Sequence, residues 1–248
     1  MTTRPPSSLA LGVISCRRAT PRSNILQLEL DGARFPFHAG QAALVGRAGQ
    51  PLRRPYSIAS SPEDAAEAGI LEFLVQIDAH GRLGEHLGRV RRGSRVIVEG
   101  PIGDFVMPDQ VAERHVLFVA GGSGIAPLRS MLRNLLADRR PHRIAFTYSA
   151  RSRRELAYAS ELKALADSGR IHLLLTTTRE TGEGWRGHRG RIGRDALAAL
   201  LAGHDPQCFL CGPPAFVRDL PALLVGLGVT ARHIHTERWE PGRVSRSG

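Results

Sequence analysis

The uninterrupted apolar run Val116 to Ala120, followed at once by Gly121-Gly-Ser-Gly-Ile-Ala-Pro127 and then by the helical pattern Ala126 to Leu136, constrains the fold more than any other feature. A strand apolar on every position is buried on both faces, and small residues between a strand and a helix let backbone approach a phosphate closely. Pro127 fits within the first helical turn, where its missing amide costs nothing. The rhythm then repeats. Arg143 to Tyr148 precedes Ala157 to Ala166, Ile171 to Leu175 precedes Asp195 to Leu201, and Cys208 to Leu210 precedes Phe216 to Leu227. Alternation of this kind predicts a parallel, doubly wound α/β domain.

The first half reads differently. Short apolar runs at Ile25 to Leu30, Ala42 to Val45, Ile70 to Ile77 and Arg95 to Val98 are separated by Gly, Pro and Arg. That spacing predicts an antiparallel sheet or barrel, with one short helix over Leu83 to Val90. A chain of 248 residues with 42% hydrophobic content can bury two modest cores. The expected division is a β-barrel domain over 1–108 and an α/β domain over 109–248, hinged at Pro108 to Arg114. Residues Glu240 to Gly248 are expected to fray.

Composition narrows the function classes. No apolar run is long enough to cross a bilayer, and Leu9 to Ile14 lacks the basic front and cleavage pattern of a signal peptide, so a soluble, cytoplasmic protein with no membrane partner is expected. Cys16, Cys208 and Cys211 are too few for an iron–sulfur cluster or an all-cysteine zinc site. No metal is expected, and any cluster sits on a partner. The formal charge is +11, carried by 33 arginines and the single Lys163. Such a surface suits phosphate or an acidic protein. Without aromatic-basic interleaving or a helix-turn-helix pattern, nucleic acid is not an expected partner.

Five short motifs stand in a fixed order: Arg54-Pro-Tyr-Ser57, Gly100-Pro-Ile-Gly-Asp-Phe105, Gly121 to Pro127, Cys211-Gly-Pro-Pro214 and Glu237-Arg-Trp239. Each alone is weak, and Arg-x-Tyr-Ser by itself fits an ordinary strand. In order, over roughly residues 9 to 239, they resemble the ferredoxin-NADP reductase family. That resemblance implies an FAD-binding barrel followed by an NAD(P)-binding domain, and hydride transfer between nicotinamide C4 and flavin N5.

The site residues follow from the same resemblance. Arg54 is implied on the flavin phosphates, Tyr56 against the isoalloxazine, and Ser57 beside N5, with Pro55 and Ile58 completing the segment. Pro55 restricts Arg54 to an extended backbone, so the segment reads as a strand. Gly81, Leu83 and Gly84 form the implied pyrophosphate turn, where the family commonly has Ser or Thr in place of Gly84. Gly122, Ser123, Gly124, Ile125 and Pro127 are implied on the nicotinamide dinucleotide, with Cys211, Gly212 and Pro213 near its reacting ring. Ser57, Cys211 and Glu237 are the implied catalytic residues, and Trp239 the aromatic cover of the flavin. Cys208 reads as a buried small hydrophobe.

Nucleotide choice stays open at this level. Thr178-Arg179-Glu180 resembles the Ser-Arg-Glu of NADP-using relatives, where Arg179 and a later arginine, Arg189 or Arg191, would meet a 2′-phosphate. The segment Trp185 to Ile192 also resembles NAD-using relatives. An acidic carrier such as a ferredoxin, or an oxygenase component, is the expected partner. A free-flavin or quinone reductase and a flavin-bearing subunit of a larger complex are the alternatives.

Overall fold

The structure is a computed structural model, and residues 7–78, 80–108, 115–138 and 142–238 are described. The expected hinge beyond Pro108, the frayed tail and Trp239 lie outside them. Contacts divide the chain into two units. Of the described residues, one unit holds those up to Met107 together with Arg129–Ala137, and the other holds the rest.

The first unit is an antiparallel barrel. Its strands are β1 (Ser7–Thr20), β2 (Ser23–Glu29), β3 (Ala42–Arg47), β4 (Arg54–Ser57), β5 (Ile70–Gln76) and β6 (Arg95–Ile102). They lie in the order β4-β3-β6-β1-β2-β5. The edge strands meet where Ile58 bridges Phe73, and Ala59 N–H donates to Glu72 O at 2.7 Å. Closure removes both exposed edges. Alternating residues such as Leu26 and Leu28 on β2 and Phe73 and Val75 on β5 fill the interior.

The helix of this unit is not at Leu83–Val90. That stretch makes one turn, in which Gly84 O accepts from the N–H of both Leu87 and Gly88 at 2.9 Å. Gly88 at φ +57° ends it before a second turn forms. The helix is instead α1 (Pro62–Ala68). Ser61 caps it, accepting from Asp64 N–H at 3.0 Å while the Asp64 carboxylate accepts from Ser61 N–H. Pro62 opens the helix, and Gly69 closes it at φ +66°.

The second unit contains β7 (His115–Gly121), β8 (Arg143–Ala150), β9 (His172–Thr177), β10 (His188–Arg189), β11 (Gln207–Gly212) and β12 (Ile234–Arg238). All pair in parallel, in the order β10-β9-β8-β7-β11-β12. The helices along this half of the chain are α2 (Ile125–Ala137), α3 (Ala159–Asp167), α4 (Arg194–Leu201) and α5 (Pro214–Val225). Leu197, Leu201, Val217, Leu220 and Leu224 from α4 and α5 pack on Leu117, Cys208 and Leu210 of the sheet. No described helix is long and apolar enough to cross a membrane.

Residues 129–137 of α2 pack within the first unit. The Ser130 hydroxyl donates to Ser60 O at 2.8 Å, and Arg133 forms a two-nitrogen pair with Asp64, Nη2 lying 2.8 Å from Oδ1. Burial raises the Asp64 carboxyl, but Arg133 and Ser61 outweigh it and hold the group below the usual carboxylate range. A depressed carboxyl stabilises the fold above its unfolded pKa and loses that contribution as pH falls through the folded value. Asp64→Asn should therefore cost about 1–2 kcal/mol at neutral pH, and urea midpoints of variant and wild type should converge on acidification.

Candidate active site

The parallel sheet reverses its order between β7 and β11, and ligands of such sheets bind at the carboxyl ends of the strands beside that reversal. Both glycine-containing motifs of the second half end there. A short 3₁₀ turn over Gly122–Gly124 leads from β7 into α2, and Ile125 N–H donates to the carbonyls of Gly122 and Ser123. A Cβ on Gly124 would lie 2.2 Å from Cys211 O and 2.8 Å from Gly212 N. Gly121 faces Gly212, whose own Cβ would stand 3.1 Å from Gly121 Cα. Two backbones thus touch at the place where the sequence predicts the nucleotide.

Gly122 is different, with φ +56° and open space beyond its α-carbon. Its carbonyl accepts from the hydroxyl of fully buried Tyr148 at 3.0 Å, and that hydroxyl accepts from Ala157 N–H at 3.2 Å. Sequence reasoning misses Tyr148, because an aromatic on an apolar strand carries no signal of such a link. The open edge at Gly122 fits a dinucleotide, whose phosphates need close backbone approach.

Cys211 and Glu237 are brought together. They are register partners on β11 and β12, and the thiol donates to Glu237 Oε2 at 3.6 Å. Cys211 is fully buried, and burial, then the Glu237 charge and hydrogen bond, push its thiol well above the usual value. It therefore holds its proton at Sγ through the neutral range. Pro213 is exposed on the rim. Cys208 is buried in the core beneath α4 and α5, with its thiol pushed up to about 12. Among the described residues no His, Cys, Asp and Glu cluster could hold a metal ion.

In the barrel, β4 pairs with β3, setting Tyr56 opposite Ala43 and Ser57 opposite Ala42. Arg54 is exposed, Pro55 half-buried and Ser57 buried. Tyr56 is 5% exposed, its ring stacked on His86 and its hydroxyl 2.9 Å from His86 Nε2. Burial pushes the phenol up to about 12 against the opposing pull of Arg54. Ile58 lies wholly in the core, with its N–H given to Gln41 O. Gly81 has φ +77°, Leu83 bridges Ile77, and Gly84 stands beside His86 and Arg54. An exposed guanidinium above a glycine turn fits a pyrophosphate.

The nucleotide-choice loop follows β9. Thr178 N–H and Arg179 N–H donate to Ala150 O and Arg151 O, which leaves both side chains exposed. Arg189 is less available than its place in the sequence implies. Its guanidinium donates to Glu180 O and, at 2.8 Å, to Gly182 O, closing the 180–182 turn. Arg191 is exposed. At the opposite, amino-terminal ends of the strands an open pocket of about 440 Å³ lies where His115, Arg143 and His172 begin β7, β8 and β9, and none of the predicted site residues lines it.

Burial assigns the thiols different reactivity. Native protein treated with a disulfide-exchange reagent should react at no more than one thiol, Cys16, which is half-buried, and at all three cysteines after unfolding. Rapid native labelling of Cys211, located by peptide mapping, would contradict the buried pair with Glu237.

Residues 13–107 match the oxidoreductase FAD-binding domain and residues 118–221 the oxidoreductase NAD-binding domain. The chain is 33% identical over 239 residues to ferredoxin–NADP reductase B of Sorangium cellulosum (strain So ce56), an alignment covering 92% of this chain and 96% of that protein. It is 34% identical over 205 residues to a Na(+)-translocating NADH-quinone reductase component of Yersinia enterocolitica, covering 75% of this chain and 48% of the relative, so it spans about half the length of that component. Its fold is shared with the crystal structure of a ferredoxin NADP+ reductase from Neisseria gonorrhoeae with bound FAD and NADP, at a TM-score of 0.78 and 20% identity over 93% of this chain and 98% of that one. With both domains matched in sequence and both sheets present in order, the chain belongs to the ferredoxin-NADP reductase family and is an oxidoreductase that binds FAD and NAD(P).

Proposed function

We propose that the protein is a reductase that moves reducing equivalents between NADPH and a ferredoxin-like carrier, with residues 1–108 serving as the flavin domain and 109–248 as the nucleotide domain. The observation that carries this reading is the close approach of two backbones, the Gly122–Gly124 turn and the Cys211 strand end, at the reversal of the parallel sheet. Bound FAD and nicotinamide supply the hydride chemistry. The protein supplies alignment and electrostatics.

Each residue then has a bounded task. Arg54 neutralises flavin phosphate charge, the Gly81 to Gly84 turn gives backbone approach, and Ser57 serves the flavin side of the transfer. Cys211 and Glu237 serve the nicotinamide side. The buried thiol keeps its proton as a neutral, polarisable group at the strand end, while Glu237 fixes its direction. Arg179, exposed beyond β9, is the group we assign to the 2′-phosphate, with Arg191 as its helper. Arg189 supports them by holding the loop.

The +11 charge favours an acidic carrier, since complementary fields raise encounter rates. A second reading is electron delivery to a quinone within a larger complex, favoured by the similarity to a component named for NADH-quinone reduction. Reduction of a ferredoxin and of a soluble quinone by the FAD-loaded protein, compared at equal NADPH, separates the two. If only the quinone is reduced, the carrier assignment fails.

Two sets of variants test the roles. Cys211→Ala and Glu237→Ala should retain FAD and slow flavin reduction by NADPH about tenfold or more in stopped flow, while Cys208→Ala should leave that rate nearly unchanged. Arg179→Ala should raise the apparent constant for NADPH roughly tenfold to hundredfold and leave NADH almost untouched. Equal impairment with both nucleotides, or a wild type that prefers NADH, would remove the NADP assignment and leave the oxidoreductase intact.

A further inference from the structure

His86 is a buried titratable group beside the flavin residues and takes no part in the roles assigned above. It is 1% exposed and stands two residues after Gly84 in the turn that follows β5. Its Nε2 lies 2.9 Å from the Tyr56 hydroxyl, and the two rings stack with centroids 5.6 Å apart and planes 20° from parallel. The other ring nitrogen, Nδ1, is buried with no hydrogen-bond partner among the described residues. A polar atom in that state costs stability unless something else satisfies it.

Gly84 defines the space in question. A Cβ at that position would lie 2.8 Å from His86 Nδ1, 2.8 Å from its Cε1, and 3.9 Å from Arg54 Nη1. The imidazole fills the space beside the bare glycine, with the Arg54 guanidinium close by. A cation next to Nδ1 favours an oxygen with negative charge there, and such an oxygen accepts hydrogen bonds. Nδ1 can serve it only as a donor. It carries the proton in the neutral tautomer in which the Tyr56 O–H donates to Nε2. The ring is neutral, because burial and then Arg54 push it down to about 4.

We propose that His86 is a positioning residue of the flavin site: Nε2 fixes the Tyr56 hydroxyl, the ring occupies the space left by Gly84, and Nδ1–H is reserved for an oxygen of the flavin nucleotide beside Arg54. The proposal rests on the assignment of the flavin to the barrel. It makes Gly84 and His86 a coupled pair, because a side chain at 84 and an imidazole at 86 compete for the same volume. This accounts for a glycine at a position where the family commonly carries a hydroxyl. The hydrogen-bonding group is supplied from two residues further along the turn.

The test uses the full chain stripped of flavin, with FAD binding followed by flavin fluorescence and the fold of each variant checked by circular dichroism. Gly84→Ser should weaken FAD roughly tenfold to hundredfold by displacing the imidazole. His86→Ala should weaken it by a similar factor, and Gly84→Ser combined with His86→Ala should bind no worse than His86→Ala alone. Losses that multiply would overturn the coupling. His86→Phe preserves the stack and removes both nitrogens, so it decides the matter if His86→Ala unfolds. A His86→Phe variant that binds FAD as tightly as wild type overturns the proposal. In ¹⁵N-histidine spectra, Nδ1 of His86 should be protonated and should shift on FAD addition, a response that a packing role alone would not give. An Nδ1 resonance unmoved by saturating FAD also overturns it. Wild-type protein that binds no FAD would overturn both this proposal and the flavin assignment, whereas tight binding with multiplying losses would overturn this proposal alone.

Discussion

The second domain depends on one close approach. Gly124 meets the backbone of Cys211 so nearly that a single added carbon would stand 2.2 Å from a carbonyl oxygen. Backbone cannot yield as a flexible side chain can, so a substitution must move either the β7 turn or the end of β11. Those two segments flank the reversal of strand order, and their carboxyl ends carry Gly122, Cys211 and Gly212. Tyr148 braces the same turn from β8, its hydroxyl committed to Gly122 O and Ala157 N–H. The turn that carries the candidate site is therefore set by backbone packing and one buried phenol.

The barrel reaches the same end by different means. Its interior is apolar, and its polar work is gathered at β4 and the turn after β5, where Arg54, Tyr56, Gly84 and His86 lie together. Burial keeps both Tyr56 and His86 uncharged near neutrality, which leaves Arg54 as the charged member of that group. A permanent cation beside neutral donors suits a phosphate-bearing ligand. Closure through Ile58 and Phe73 fixes β4 against β5 and so limits movement of the segment that carries Ser57.

Much of this is legible in the sequence where periodicity and small residues coincide. The run Val116 to Ala120 with Gly121 to Pro127 could only join a buried strand to a helix through a tight turn, and it does. The Ser61-Pro-Glu-Asp start of α1 carries a readable cap, yet the apolar pattern of Leu83 to Val90 draws the helix to the wrong place. The left-handed backbone at Gly88 outweighs that pattern. β1 escapes because Gly12 and paired arginines break its alternation, while the sheet on both sides supplies its order. His86 and Tyr148 are invisible for a common reason: their tasks come from partners many residues away, which no local pattern announces. Arg189 shows the converse, since an arginine well placed in sequence can commit its donors to nearby carbonyls.

The Gly124 contact is the most direct point of test. Gly124→Ala should fold, keep FAD in the barrel, and lose flavin reduction by NADPH by about a hundredfold or more, measured anaerobically by stopped flow against wild type. The same variant reducing its flavin at the wild-type rate, with FAD bound, would contradict the claim that this backbone approach builds the nicotinamide site.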